Sequence, residues 1–219
     1  MQRFTMMLLI TLSSIALLRA ENRIGVSAGA GPAFPIRGMK KMFGTGFGGT
    51  GSIDILLNEN ISVVVRGGYL RWQFNSDKIN GSVAAGGGTP GFDVSGPFQA
   101  IPVMLGGRLT FDGEFMRPYF GLSGGACFLH WKIAGSNSSP GAPVPYAESS
   151  GTWTEPAMSV DAGLKFVLSG TLTLDIGGIY TAFSNPNDRM EPSEFFGVKI
   201  TGASTASYAG VQAGVNVVF

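Results

Sequence analysis

Met158–Leu168 reads M-S-V-D-A-G-L-K-F-V-L, and a few residues on Leu172–Ala182 reads L-T-L-D-I-G-G-I-Y-T-A. In the first stretch Met158, Val160, Ala162, Leu164 and Phe166 share one face, against Ser159, Asp161, Gly163 and Lys165. In the second, Leu172, Leu174, Ile176, Gly178 and Tyr180 oppose Thr173, Asp175, Gly177 and Thr181. Strict alternation over this length is the signature of a strand with one apolar face. Only Ser169-Gly170 and Thr171 separate the two, which makes a tight hairpin.

Six further segments alternate in the same way: Arg23–Phe34, Gly49–Leu57, Ile61–Trp72, Phe98–Phe111, Arg117–Lys132 and Tyr208–Phe219. Eight strands are therefore predicted. Their connections alternate strictly. Asn58–Asn60, Asp112–Met116 and Ser169–Gly170 are short and polar. Pro35–Gly48, Gln73–Pro97, Ile133–Thr152 and Ser184–Thr205 are long and rich in Gly, Ser, Pro and Asn. One end of the sheet thus carries turns and the other carries loops.

The composition fits nothing ordinary. Of 219 residues 34 are glycine, roughly twice the usual share. Charged residues are only 13%, and fifteen basic against fourteen acidic side chains leave a net charge of +1. That balance gives no footprint for nucleic acid. One cysteine, Cys127, and one histidine, His130, exclude a disulfide framework and a Cys-rich zinc site. No metal or cofactor is expected. Gly44-Thr-Gly-Phe-Gly-Gly49 matches a dinucleotide fingerprint in letters, but a strand follows it where a helix is required.

Met1–Ala20 (MQRFTMMLLITLSSIALLRA) has a positive start at Arg3 and an apolar stretch over Met6–Leu18. That stretch is shorter than the ~20 residues of a spanning helix, so residues 1–20 read as a cleavable signal peptide. Residues 21–219 then form a single β-barrel domain.

Two closed barrels suit eight such strands: a soluble barrel that is apolar inside, or a transmembrane barrel that is apolar outside. The apolar face carries almost no charge. The other face carries Asp54, Arg66, Arg108, Asp161, Lys165 and Asp175 among Gly, Ser and Thr. Three acids against three bases suit a narrow interior, where an uncompensated charge is expensive. These six are expected to form a plug-like network in the lumen. Phe34, Tyr69, Phe128 and Tyr180 fall on the apolar face near the loop end, and Phe111, Phe120, Phe166 and Phe219 near the turn end. Two aromatic girdles around an apolar band belong to a membrane barrel. The fold class is therefore all-β: an eight-stranded antiparallel up-and-down transmembrane β-barrel.

The whole chain after residue 20 resembles the small OmpA/OmpX-type outer-membrane β-barrels. The resemblance rests on the signal peptide, the eight strands, Ile101–Phe111, Arg117–Ala126 and the terminal Val217-Val218-Phe219. It implies a Gram-negative outer membrane, periplasmic turns and external loops. It also implies outer-membrane lipid and lipopolysaccharide as surroundings, and an assembly signal at Phe219 read by the barrel-assembly machinery. A monomer is expected, with a structural or surface-interaction role exerted through the four long loops, an extracellular ligand among their partners, and no enzymatic activity.

Two alternatives compete. His130 could serve a lipid A-modifying acyltransferase or deacylase, with Ser136, Ser138 and Ser139 nearby, although the chain reads His130-Trp-Lys and the histidine shares the lipid-facing parity of Phe128. The lumen could instead be a narrow solute or ion channel. Cys127 falls on the lumen face as a packed thiol. Lys40 and Lys41, and the charged set Asp188, Arg189, Glu191, Glu194 and Lys199, read as solvated loop charges.

Overall fold

The computed structural model describes residues 23–85, 91–137, 144–184 and 205–219. Met1–Ala20 lies outside these residues, as do Asp188, Arg189, Glu191, Glu194, Lys199, Ser138 and Ser139. The strands are β1 Ile24–Arg37, β2 Gly46–Leu56, β3 Ile61–Gln73, β4 Phe92–Ser95, β5 Pro97–Thr110, β6 Met116–Asn137, β7 Val144–Val167, β8 Leu172–Ser184 and β9 Thr205–Val218. Among the described residues one α-helix, α1 Ser76–Ala85, stands between β3 and β4.

Nine labels make an eight-stranded barrel, because β4 and β5 are one interrupted strand. Both pair with β6 in a single register, Ser95 with Ala134 and Phe98 with Trp131. The break is at Gly96, whose φ is 131°. A Cβ there would strike the Lys132 carbonyl oxygen, so only glycine fits. All pairings are antiparallel, β1 pairs with β9, and β6 pairs with β7.

The register measures the closure. Pro156 pairs with Ala126, and the row runs on through Val103, Gly67, Gly51, Ala28, Val215 and Leu174 to Phe166, ten residues further along β7. For eight strands that shear gives a tilt of about 40° and a wall radius of about 8 Å. Such a bore is filled by side chains. At the seam the Phe219 amide donates to the Ile24 carbonyl at 2.9 Å. No backbone edge is left open there to lipid, which cannot satisfy one.

The short turns follow from local chemistry. Asn58 Oδ1 accepts from the Asn60 and Ile61 amides at 2.9 and 2.7 Å. Ser169 Oγ accepts from the Leu172 amide at 3.1 Å. These side chains replace the missing ladder bonds and turn the chain.

The long connections differ from expectation. Ile133–Thr152, read as a loop, is mostly strand: β6 runs to Asn137 and β7 starts at Val144. Residues 144–156 of β7 rise beyond the β8 ladder, which begins at Ala157–Phe183. The extension lacks the apolar alternation of the strands below it. Gln73–Pro97, also read as a loop, contains α1 and β4. Ser76 Oγ accepts from the Val94 amide at 2.8 Å and donates to its carbonyl at 2.9 Å, so the loop clasps the edge of β4. Pro35–Gly48 contributes the end of β1, a 3-10 turn at Gly38–Lys41 and the start of β2.

Outward faces are apolar and exposed at mid-barrel: Ile53, Val65, Val103, Leu105, Leu122, Met158 and Val215 all lie open on the outer wall. Phe34, Tyr69 and Phe128 are exposed at the loop end, and Tyr180 is half-buried. Phe111, Phe120 and Phe219 are exposed at the turn end, with Phe166 half-buried. Phe47 and Phe115 join these rings, the latter edge-on to Phe166 with centroids 6.0 Å apart.

Candidate functional site

The lumen has two zones. Alternation points every second side chain inward, and near the turn end those positions hold Gly, Ser, Thr and charges. Arg108 Nη1 donates to Asp54 Oδ2 at 2.7 Å, and Arg108 Nη2 to Asp161 Oδ2 at 3.2 Å. Arg66 Nη2 meets Asp161 Oδ1 at 2.9 Å. Lys165 Nζ lies 3.7 Å from Asp54 Oδ2. Five of the six charges singled out in the sequence thus form one ion-pair cluster. Asp175, the sixth, enters differently. It accepts from the Tyr119 hydroxyl at 2.8 Å, and Arg108 stacks over that ring at 4.8 Å.

Small residues make this crossing possible. A Cβ on Gly163 would lie 2.7 Å from the Tyr119 oxygen, and one on Gly177 would collide with it. Ser52 donates to Asp54 Oδ1 at 2.7 Å, and Ser123 and Ser159 share a bond of 2.7 Å. Beside the cluster a cavity of about 40 Å³ is bordered by Thr50, Arg66, Tyr119, Asp175 and Gln212, room for roughly two or three waters. A buried cluster of this kind specifies geometry more than it stabilises, because desolvation offsets most of the Coulomb gain.

The loop-end zone is apolar, contrary to the expectation of small and polar residues throughout the lumen. Leu70, Trp72, Phe98 and Leu129 point inward from β3, β5 and β6 and are buried. From above, the first long connection folds in Met39, Met42 and Phe43. Phe43 packs on Phe98 with centroids 4.8 Å apart and on Phe74 at 4.7 Å, and Trp72 packs on Tyr208 at 5.3 Å. Trp72 Nε1 donates to the Ala33 carbonyl at 3.0 Å, so its one polar atom is satisfied. The inward parity of Ser62, Val64 and Arg66 extends to Leu70 and Trp72, a signal present in the sequence. Nothing in the order of residues shows that a loop would close over them.

Glu155 is a further inward charge, buried on β7. Parity carried back from Ser159 reaches it. Cys127 is inward and buried. Lys40 and Lys41 are exposed on the 3-10 turn. His130 is exposed on the outer wall, its Nδ1 2.9 Å from Thr152 Oγ1. Ser136 lies on β6, paired with Asp93 of β4. Among the described residues no group of three metal-ligating side chains occurs.

The closed antiparallel barrel is shared with solved outer-membrane proteins. No curated protein sequence matches the chain. The fold resembles Ail, the attachment invasion locus protein of Yersinia pestis, solved in complex with the heparin analogue sucrose octasulfate: TM-score 0.52, 14% identity, 91% of this chain and 100% of that one. The outer membrane protein OprG of Pseudomonas aeruginosa aligns at TM-score 0.50 and 9% identity, over 90% of this chain and 96% of that one. Neisserial surface protein A aligns at TM-score 0.49 and 19% identity, over 91% and 100%. The family model of the outer membrane protein beta-barrel domain covers residues 4–219. The chain belongs to that family, and it is a β-barrel protein of the bacterial outer membrane.

Proposed function

We propose that this barrel is a non-enzymatic surface protein, anchored by its wall and acting through its long-loop end, with a lumen that does not conduct. The long-loop end then faces outward and the short turns face the periplasm. One observation carries the proposal: the bore is occupied in series by an ion-pair cluster and by an aromatic core. The Arg108 bridges and the Trp72–Phe98 packing lie in successive zones of an ~8 Å wall. The β6–β7 pairing beyond the β8 ladder, with β4 beside it, supports an interaction role, since it offers a hydrogen-bonded platform past the membrane band.

Planar-bilayer recording of the reconstituted protein tests this. Little or no steady conductance is expected, and large stable openings would overturn it. The competing enzymatic reading has its own support in the imidazole–hydroxyl pair of His130 and Thr152 at the outer rim. Lipid A from cells carrying His130→Gln, compared by mass spectrometry with wild type, separates the two; an altered profile would favour the enzyme.

A further inference from the structure

The bore is filled from the Arg108 bridges upward, but below them it opens at the turn end. Two cavities lie there. The deeper one, about 70 Å³, is bordered by Asp54, Arg117, Lys165, Thr173 and Asn216. The one at the mouth, about 310 Å³, is bordered by Arg23, Leu56, Glu59, Asp112 and Arg117. Leu56, Asn58, Glu59 and Arg117 border both, so the two form one vestibule that narrows inward. It is blind. At its deep end Asp54 accepts from Ser52 Oγ at 2.7 Å and from Arg108 Nη1 at 2.7 Å, and these contacts close the bore. Cavities that hold ligands commonly start at about 300 Å³.

The wall of the vestibule carries cations and an unanswered acceptor. Arg117 lies two residues below the inward Tyr119 and is directly opposite Lys165 in the β6–β7 register. Opposed Cβ atoms are about 5 Å apart, so one anion can touch both side chains. Among the described residues neither Arg23 nor Arg117 forms an ion pair with a carboxylate. Arg117 Nε donates to the Gly113 carbonyl at 3.1 Å, which holds the guanidinium at the mouth. Lys165 has only the 3.7 Å contact with Asp54. Across the vestibule Thr173 and Asn216 are opposed in the β8–β9 register. Asn216 is 2% exposed, and its Oδ1 and the Thr173 hydroxyl are buried without a protein partner. A buried acceptor is expensive to leave without a donor. The acids Glu59 and Asp112 are exposed on the turns at the rim.

We infer that this vestibule binds the free C-terminal end of a peptide tail whose last residues are basic. A blind, narrowing cavity admits the end of a chain and not its middle. The terminal carboxylate sits between Arg117 and Lys165, where a guanidinium fork and an ammonium give charge-assisted bonds. The amide of the last residue supplies the donor that Asn216 Oδ1 lacks. A lysine or arginine just before the end meets Glu59 and Asp112 at the rim. Capture of a chain terminus by donors already in place is a recurring mode of peptide recognition. In the proposed orientation the turn end faces the periplasm, so the tail belongs to a periplasmic protein. The chemistry of the vestibule does not depend on that orientation.

The test uses the full barrel refolded in detergent and fluorescence anisotropy of an N-terminally labelled hexapeptide, made of glycine and serine and ending in two lysines. The peptide is used with a free C-terminal carboxylate, with a C-terminal amide, and with both lysines replaced by serine. Arg23→Gln/Arg117→Gln is compared with Glu59→Gln/Asp112→Asn and with Lys40→Gln/Lys41→Gln at the loop end. All of these positions are exposed, and heat-modifiable gel mobility confirms that each variant is folded. The wild type is expected to bind the free acid at least about tenfold tighter than the amide. The arginine variant cuts that preference to about twofold or less, and the loop-end variant keeps it. The rim-acid variant keeps the preference for the free acid but loses the advantage of lysine over serine, a change of about two- to fivefold. Equal binding of acid and amide by the wild type, or no binding of either, overturns the inference. So does a folded arginine variant that keeps the full preference. Those outcomes leave the closed, non-enzymatic barrel standing, whereas steady conductance would remove that proposal and leave a measured preference for the free carboxylate untouched.

Discussion

The two zones of the lumen solve the same problem with opposite chemistry. Near the turns, Asp54, Arg66, Arg108, Asp161 and Lys165 interlock through a few directed contacts. Near the loops, Trp72, Phe98, Phe43 and Tyr208 fill the bore by shape and area. Apolar packing sums over atoms, so each deleted side chain costs its own transfer and cavity energy. A charge cluster does not sum. Loss of one member is expensive, and loss of a balanced pair is cheap.

That difference can be broken experimentally. The largest effect is expected from Trp72→Ala with Phe98→Ala, about 6 kcal/mol or more in urea unfolding from lipid vesicles, since each alone removes about 3–5 kcal/mol. A small combined loss would mean that the loop-end zone is not packed. Arg108→Met is expected to cost about 3–5 kcal/mol, because Asp54 and Asp161 each lose one of two cations in a buried site, leaving Asp54 only the longer Lys165 contact. Adding Asp54→Asn restores charge balance and should recover more than half of that loss. If the double variant is instead as unstable as the sum, the cluster behaves like the apolar zone and the contrast collapses. The smallest effect is Tyr119→Phe, about 1 kcal/mol, which removes one donor from Asp175 and keeps the ring under Arg108.

Legibility in the sequence divides along the same line. Inward parity of Asp54, Arg66, Arg108, Asp161, Lys165 and Asp175 was readable because a strand has period 2 and charge avoids lipid. The partners were not readable. They depend on how far one strand slides past the next, and on Tyr119 crossing the bore to reach Asp175 between Gly163 and Gly177. Trp72 and Leu129 sat on the inward parity in plain view. Alternation gives their direction, but not that an apolar layer surrounds them there. The upper parts of β6 and β7 are not legible because Gly, Ser and Glu interrupt the apolar alternation that marks the rest of these strands.

By itself, then, the sequence determined the strands, their faces, the turn and loop ends and the solvent on each side, because all of these follow from local periodicity and the aversion of charge to hydrocarbon. Tertiary structure decided the shear of ten, the ion pairs and the apolar closure of the lumen. Those properties belong to cross-strand register and to chain folding back into the bore, and no local pattern encodes either.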